Sequence, residues 1–242
     1  MLYLEPSSEE MRERELFAES ASQLQSIPAM PSESEFNLFA ACRTYATPMG
    51  IVYLRDHCPA ALVEQLRVDA GLSAFARTPE REHALLLNIA RSEQGILALA
   101  YTDEGAIVGQ VTFADAGKWW SEVGVCREVA IEVSANWRKR GVARQLIELV
   151  ISRADLEDWI LLAMGFSWHW ETEQLGLPAI RYREMLASLV APYGFTEYLT
   201  TEPNIRDTPM NILLARLGSR VAQDAQRQFY ACLLRSETLP GM

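Results

Sequence analysis

The stretch from Glu128 to Leu146 constrains the fold of this 242-residue chain more than any other, and it reads EVAIEVSANWRKRGVARQL. The alternation that ends near Val133 predicts a strand, and the apolar spacing after Gly141 predicts an amphipathic helix. Four basic residues lie between these two elements or in the first turn of the helix, although the net charge of the chain is -10. A strand, a short basic loop and a helix start therefore form one candidate site.

The start of the predicted helix has the properties of an anion-binding site. The first turn of a helix offers amide donors and the positive end of the helix dipole, and a diphosphate fits there. Gly141 and Ala143 are small, so phosphate oxygens can approach the main chain. The sequence contains neither GxxxxGK[ST] nor GxGxxG, which argues against the common nucleotide-binding loops. The candidate phosphate-binding residues are Arg138, Lys139, Arg140, Gly141, Val142, Ala143 and Arg144.

The remaining patterns predict a mixed α/β (α+β) domain, because strands and helices do not alternate strictly. Predicted strands cover residues 51–54, 96–101, 107–112, 129–133, 159–163, 195–200 and 211–217. Predicted helices cover residues 59–75, 78–91, 141–152, 181–189 and 219–234. Residues 1–48 are predicted to be a partly helical N-terminal extension with a capping box at Ser7, and residues 49–242 the main domain.

Composition and charge restrict the kinds of binding partner and the cellular compartment that we expect for this chain. An acidic surface repels phosphate backbones, so nucleic-acid binding is not expected. No apolar run approaches the roughly 20 residues that cross a bilayer, and Met1 to Glu15 is too charged for a signal peptide. The four cysteines form no CxxC pair, so neither a metal site nor a disulfide framework is expected. We therefore expect a cytoplasmic protein without a membrane partner.

The spacing Arg138-x-x-Gly141-x-Ala143 resembles motif A of the GNAT superfamily of N-acetyltransferases, Q/R-x-x-G-x-G/A. The resemblance implies a central mixed, mostly antiparallel sheet that is flanked by helices and splayed between two central parallel strands. It implies that the basic loop holds the pyrophosphate of acetyl-CoA, the cosubstrate. It also implies that Ile131 and Val133, at the end of the preceding strand, pair with the pantetheine, and it implies no metal.

The reaction that this resemblance implies is attack by an amine on the acetyl thioester, which requires a base and is aided by an acid. Glu132 is the first candidate for the base, and Glu128 is the second because it lies on the same face of a regular strand. Tyr182 is a candidate acid, with Tyr193 as a rival. His169 is a candidate for holding the substrate or relaying a proton, or else part of a packed aromatic corner.

A narrower resemblance lies in the C-terminal half. Trp168-His169-Trp170, Tyr182-Arg183, Thr201-Glu202-Pro203-Asn204-Ile205 and Ala215-Arg216-Leu217-Gly218 resemble the acetoin-utilisation acetyltransferase family. That family consists of protein lysine acetyltransferases that modify acetyl-CoA synthetase. Here Ala143 replaces the usual motif A glycine, and Ala135 replaces the usual proline after the strand.

The narrower resemblance implies a protein partner, the active-site lysine of acetyl-CoA synthetase. Two other functions stay open on the sequence: acetylation of a small-molecule amine, and a non-catalytic module that binds acetyl-CoA. The N-terminal extension of residues 1–48 also leaves a homodimer open.

Overall fold

The computed structural model describes residues 42–93 and 95–235. The predicted capping box at Ser7 and the helix that follows it lie outside these residues. Within the described ranges, no helix is both long and apolar enough to cross a membrane.

Across residues 42–93 and 95–235, nine strands form one sheet. The strands are β1 Cys42–Thr47, β2 Gly50–Arg55, β3 Arg67–Val68, β4 Ile96–Thr102, β5 Ala106–Asp115, β6 Cys126–Val133, β7 Ile160–Gly165, β8 Thr196–Tyr198 and β9 Ile212–Leu217. Their order in the sheet is β1-β2-β4-β5-β6-β7-β9-β8, with β3 beside β5. The pairs β6–β7 and β3–β5 are parallel and the other pairs are antiparallel, which confirms the predicted mixed sheet. β1 lies within the predicted extension of residues 1–48 and pairs with β2.

The helices of the described part of the chain follow most of the predicted ranges. They are α1 Ala60–Val63, α2 Pro79–Arg91, α3 Val142–Ile151, α4 Thr172–Leu175, α5 Ala179–Val190, α6 Pro203–Arg206 and α7 Gln223–Leu233. α2 begins where the sequence predicts, because Thr78 accepts a hydrogen bond from the Arg81 N–H and Pro79 occupies the first turn.

The predicted helix over residues 59–75 is wrong. α1 ends at Val63, and Arg67 and Val68 instead pair in parallel with Ala106 and Ile107 of β5. Apolar residues of this segment are still buried, so their spacing reflects core packing in an irregular chain rather than a continuous helix.

Helices cover both faces of the sheet. α3 packs Val142, Leu146 and Leu149 into a core with Ala98 and Val111 on one face. α2 packs on the opposite face, where Glu82 and Leu86 are buried. A second core joins α7 to the 3-10 turn Lys118–Val123.

The sheet opens between its two central parallel strands. β6 and β7 pair at three positions, Cys126–Ile160, Arg127–Leu161 and Glu128–Leu162. β6 continues alongside β5 as far as Val133, whereas β7 beyond Leu162 continues only alongside β9. The predicted splay is thereby confirmed, and it lies directly before the basic loop.

Candidate functional site

The exposed edge of β6 lines the opening in the sheet. The Ser134 N–H donates to the Val108 carbonyl of β5, so Ser134 faces β5. Because main-chain groups alternate sides along a strand, those of Ile131 and Val133 face the opposite way, towards the opening. The structure thus places both predicted pantetheine-binding residues with their main-chain groups directed into the gap between β6 and β7.

The basic loop after β6 turns the chain into α3 through two residues with positive φ. Lys139 has a φ of 59° and Gly141, the N-cap of α3, has a φ of 81°. The first bond within the helix runs from the Gln145 N–H to the Gly141 carbonyl. The amides of Val142, Ala143 and Arg144 therefore point out of the N-terminal end of α3, as an anion site requires.

Tyr45 of β1 closes one side of this loop. Its hydroxyl donates to the Arg140 carbonyl at 3.0 Å. A Cβ atom at position 141 would lie 2.5 Å from the Tyr45 hydroxyl oxygen. Glycine is therefore required at position 141 both by its positive φ and by the contact with Tyr45.

The four basic residues of the loop divide into two pairs. Lys139 and Arg144 are exposed at the surface. Arg140 turns back and donates to the Arg138 carbonyl at 2.9 Å. Arg138 forms an ion pair with Glu171, and its Nε donates to the Val133 carbonyl at 3.3 Å. Arg138 therefore links the chain after β6 to the chain after β7, and the exposed charge is that of Lys139 and Arg144.

Glu132 lies on β6 at the opening, with only 6% of its surface exposed. Its Oε1 accepts hydrogen bonds from the N–H groups of Ser73 and Ala74, both at 2.8 Å. Burial raises the pKa of the Glu132 carboxyl, and the charge of Glu171 raises it further, while the two amides oppose the shift. The carboxylate is fixed in position through Oε1, which leaves Oε2 as the oxygen that can take up a proton.

The loop that holds Glu132 is itself attached to the turn after β6. Asp69 accepts hydrogen bonds from the Ser134 hydroxyl at 2.5 Å and from the Gly71 N–H at 2.9 Å. The Ala135 N–H donates to the Gly71 carbonyl at 3.0 Å. These bonds join residues 69–74 to the start of the basic loop, so the predicted base and the predicted anion site share one support.

Glu128, the second candidate for the base, lies on the same face as Glu132 but opposite Leu162, where β6 and β7 still pair. Burial raises the pKa of its carboxyl. The paired position keeps it in the closed part of the sheet, so the geometry favours Glu132 at the opening.

His169 lies in the 3-10 turn Ser167–His169 after β7 and contacts the same loop. Its Nδ1 lies 3.1 Å from the Ala74 carbonyl oxygen. A carbonyl can only accept, so Nδ1 carries the hydrogen in this contact. His169 is therefore joined through Ala74 to the loop that holds Glu132.

The two candidate acids lie in different surroundings. Tyr182 of α5 stacks on Trp170 with ring centroids 5.2 Å apart. Burial raises the pKa of the Tyr182 phenol, and the charges of Glu171 and Glu132 add to the shift. Tyr193 instead donates to Glu148 of α3 at 3.4 Å. Tyr182 is the tyrosine that shares the electrostatic environment of Glu132, and it keeps its proton at neutral pH.

Two side chains next to Glu132 were missed by the sequence analysis. Gln110 of β5 lies directly opposite Glu132, and its Nε2 lies 3.4 Å from the Glu132 Oε2. The same nitrogen donates to Glu82 of α2 at 2.5 Å. Two signals were available in the sequence. Gln110 is a polar residue in the apolar β5 strand, and Glu82 is an acid four positions before the buried Leu86.

Comparison with known proteins identifies the family to which this chain is similar. The profile of the Acetyltransferase (GNAT) family matches residues 61–182. The chain is 31% identical over 163 residues to the acetoin utilization protein AcuA of Bacillus subtilis (strain 168), covering 65% of this chain and 77% of that protein. The chain is 29% identical over 163 residues to AcuA of Bacillus licheniformis, again covering 65% of this chain and 77% of that protein. The crystal structure of an acetoin utilization protein from Exiguobacterium sibiricum 255-15 matches with a TM-score of 0.76 and 31% identity, covering 83% of this chain and 96% of that one.

Proposed function

Because the chain belongs to the GNAT family of acetyltransferases, we propose that it transfers the acetyl group of acetyl-CoA to a lysine of a protein, acetyl-CoA synthetase. The single observation that carries the acetyl-transfer chemistry is a buried carboxylate, Glu132, at the opening between β6 and β7, beside an anion-binding helix start. The protein target is supported by the similarity to acetoin utilization proteins and by the motifs around Trp168-His169-Trp170.

The residues of the opening fit acetyl-CoA, which supplies an activated acetyl thioester. The outward amides of Val142, Ala143 and Arg144 suit a diphosphate, and the exposed Lys139 and Arg144 add positive charge. The edge of β6 offers the main-chain groups of Ile131 and the N–H of Val133 to an extended amide-bearing chain in the way that a neighbouring strand would, while the Val133 carbonyl accepts from Arg138.

Proton transfer is assigned to Glu132, His169 and Tyr182. A protonated lysine cannot attack a thioester, so a base must first remove its proton. The Glu132 Oε2 is the first acceptor, and the His169 Nε2 is available to hold the substrate amine or pass its proton on. Tyr182 keeps its phenolic proton at neutral pH and is the donor for the departing sulfur.

Exposed apolar side chains near these residues suit a protein acceptor. Trp168 stacks on Phe166 with ring centroids 4.8 Å apart, yet 56% of its surface is exposed. Ile180 and Met185 are exposed on α5, the helix that carries Tyr182. A small polyamine gains little from exposed apolar surface, whereas apolar and aromatic side chains are typical anchors of protein interfaces.

Incubation of the protein with labelled acetyl-CoA and purified acetyl-CoA synthetase tests the proposal. We expect intact-mass and peptide analysis to show one acetyl group on a synthetase lysine with the wild-type protein, and a far slower reaction with Glu132→Gln. Spermidine in a parallel reaction represents small amines. Rapid acetylation of spermidine with none on the synthetase would contradict the protein target, and coenzyme binding without transfer to either acceptor would contradict acetyl transfer.

A further inference from the structure

A second carboxyl lies within the protein beside the proposed base. Glu82 projects from α2 and has 0% of its surface exposed. Its Oε1 accepts a hydrogen bond from Gln110 at 2.5 Å, and the same Gln110 nitrogen lies 3.4 Å from the Glu132 Oε2. Cross-strand pairing with Glu132 fixes the position of Gln110, so one amide group stands between two buried carboxyls.

We propose that Glu82 and Gln110 are positioning residues for the base, and that Glu82 carries a proton while Glu132 is ionised. In this arrangement the Gln110 amide holds the Glu132 Oε2 in one position, and the pair of carboxyls carries one negative charge instead of two. The inference rests on the proposed role of Glu132 as the base.

The geometry supports a proton on Glu82. Among the described residues, the Glu82 Oε2 is buried without a hydrogen-bond partner. A charged oxygen in that position costs more than a neutral hydroxyl, because no hydrogen bond to this oxygen replaces the lost water. Burial first, and then the charge of Glu132, raises the pKa of Glu82 from its usual 4.5 to about 7, against the opposing hydrogen bonds from Gln110 and the Ala76 amide.

The charged and titratable groups around the two carboxyls are few. On α2 itself, the His83 Nε2 lies 2.8 Å from the Val63 carbonyl oxygen. On β3, which packs against α2, Arg67 donates to the Glu104 carbonyl, and next to β3 Asp69 is held by Ser134 and Asn136. On the side of the opening, the charge of Glu171 acts on Glu132, and Glu171 is itself paired with Arg138. The proton affinity of Glu82 therefore responds chiefly to burial and to Glu132.

This coupling has a kinetic consequence. When Glu82 loses its proton near pH 7, its negative charge raises the proton affinity of Glu132 and makes it a stronger base. The effect disappears in Glu82→Gln, which keeps the shape of the side chain but cannot ionise. A purely structural Glu82 would change stability without producing this pH dependence.

The first test compares wild-type and Glu82→Gln kcat/KM for acetyl transfer from pH 5.5 to 8.5. Ionisation of the substrate amine and of the coenzyme phosphates is common to both proteins and cancels in the ratio. We expect the ratio of wild type to variant to rise by roughly three- to tenfold through pH 7. A ratio that stays constant over this range would overturn the proposal.

Gln110→Leu tests the bridging amide, with Thr112→Val as the matched control two residues away on the same face of β5. We expect kcat to fall by at least about tenfold in Gln110→Leu, with an unchanged KM for acetyl-CoA, because the base loses its orientation. Thr112→Val should retain the wild-type kcat. Equal kcat values in the two variants would contradict the positioning role of Gln110.

Infrared spectroscopy follows the proton without relying on catalysis. The wild-type protein should show the carbonyl band of a buried protonated carboxyl that is lost as the pH rises through about 7. In Glu132→Gln the midpoint should move to lower pH, because the neighbouring charge is gone. Absence of the band at pH 5.5, or a midpoint that Glu132→Gln leaves unchanged, would overturn the inference, whereas failure of acetyl transfer alone would leave these spectra interpretable.

Discussion

At the scale of single residues, the proposed mechanism depends on how the carboxylate of Glu132 is held. A base on a flexible side chain would lose orientation, and a base in water would bind protons weakly. The Ser73 and Ala74 amides fix one oxygen of Glu132, and burial raises its pKa, so the other oxygen is both oriented and more basic. The same residue thus meets the geometric and the electrostatic requirement for general-base catalysis.

Replacement of Glu132 by glutamine separates catalysis from coenzyme binding. We expect kcat to fall by about 10²- to 10⁴-fold, since the base is lost, while the Kd for acetyl-CoA changes by less than about twofold because the phosphate-binding groups are untouched. Glu128→Gln is the control, since Glu128 lies in the paired part of β6. Steady-state kinetics and calorimetry measure both quantities, and an undiminished kcat in Glu132→Gln would remove this residue from the mechanism.

The buried Glu82 predicts a pH dependence of stability. Its folded pKa of about 7 is above the usual 4.5, so the folded state holds the proton more tightly than the unfolded state. This contribution to stability is present below pH 4.5 and is lost as the pH rises through 7, by roughly 3 kcal/mol at most. Urea unfolding at pH 5 and pH 8 should therefore show wild type losing stability relative to Glu82→Gln, and a pH-independent difference would contradict a buried, titrating Glu82.

At the scale of secondary-structure elements, the sequence pattern predicts those elements that are determined by interactions between residues close in sequence. The β4–β5 hairpin follows from two apolar runs around Asp103-Glu104-Gly105, and the start of α2 follows from Thr78 and Pro79. The predicted helix over 59–75 is wrong, because pairing of Arg67 and Val68 with β5 is a long-range contact that leaves no periodic signal. For the same reason, the sequence did not predict that the loop at Ser73 and Ala74 would bind Glu132.

The turn into α3 gives a test at this scale. We expect Gly141→Ala to destabilise the protein by about 1–2 kcal/mol, because alanine is strained at this positive φ and its Cβ meets the Tyr45 hydroxyl. Acetyl-CoA binding should weaken with it. Denaturant unfolding and calorimetry measure the two effects.

Two variants separate the causes of that effect. Gly176 has a φ of 60° but nothing within 4 Å of an added Cβ, so Gly176→Ala should show backbone strain alone and no loss of acetyl-CoA binding. Combining Gly141→Ala with Tyr45→Phe removes the 2.5 Å contact and should restore part of the binding. If Gly141→Ala and Gly176→Ala behave alike in acetyl-CoA binding, the proposed role of this turn is wrong.

At the scale of the whole molecule, the site is assembled from separate parts of the chain. Glu82 on α2, Gln110 on β5 and Glu132 on β6 are brought together by sheet register and helix packing. Local patterns predict the strand–loop–helix unit and a mixed α/β domain, whereas the splay between the central strands is predicted only through the resemblance to the GNAT superfamily. The sequence does not predict that Glu82 and Glu132 both lie beside the Gln110 amide, because that depends on how α2 packs on the sheet.

The central claim is that the start of α3, with Lys139 and Arg144, holds acetyl-CoA beside β6. Calorimetric titration of acetyl-CoA into the wild-type protein tests it most directly, with Arg144→Glu as the variant and Arg227→Glu, on the exposed surface of α7, as the matched charge reversal. We predict saturable one-site binding to wild type and Arg227→Glu, and binding at least about tenfold weaker in Arg144→Glu, because a charge-assisted phosphate contact is lost. No heat with the wild type, or equal affinity in all three proteins, would contradict the account.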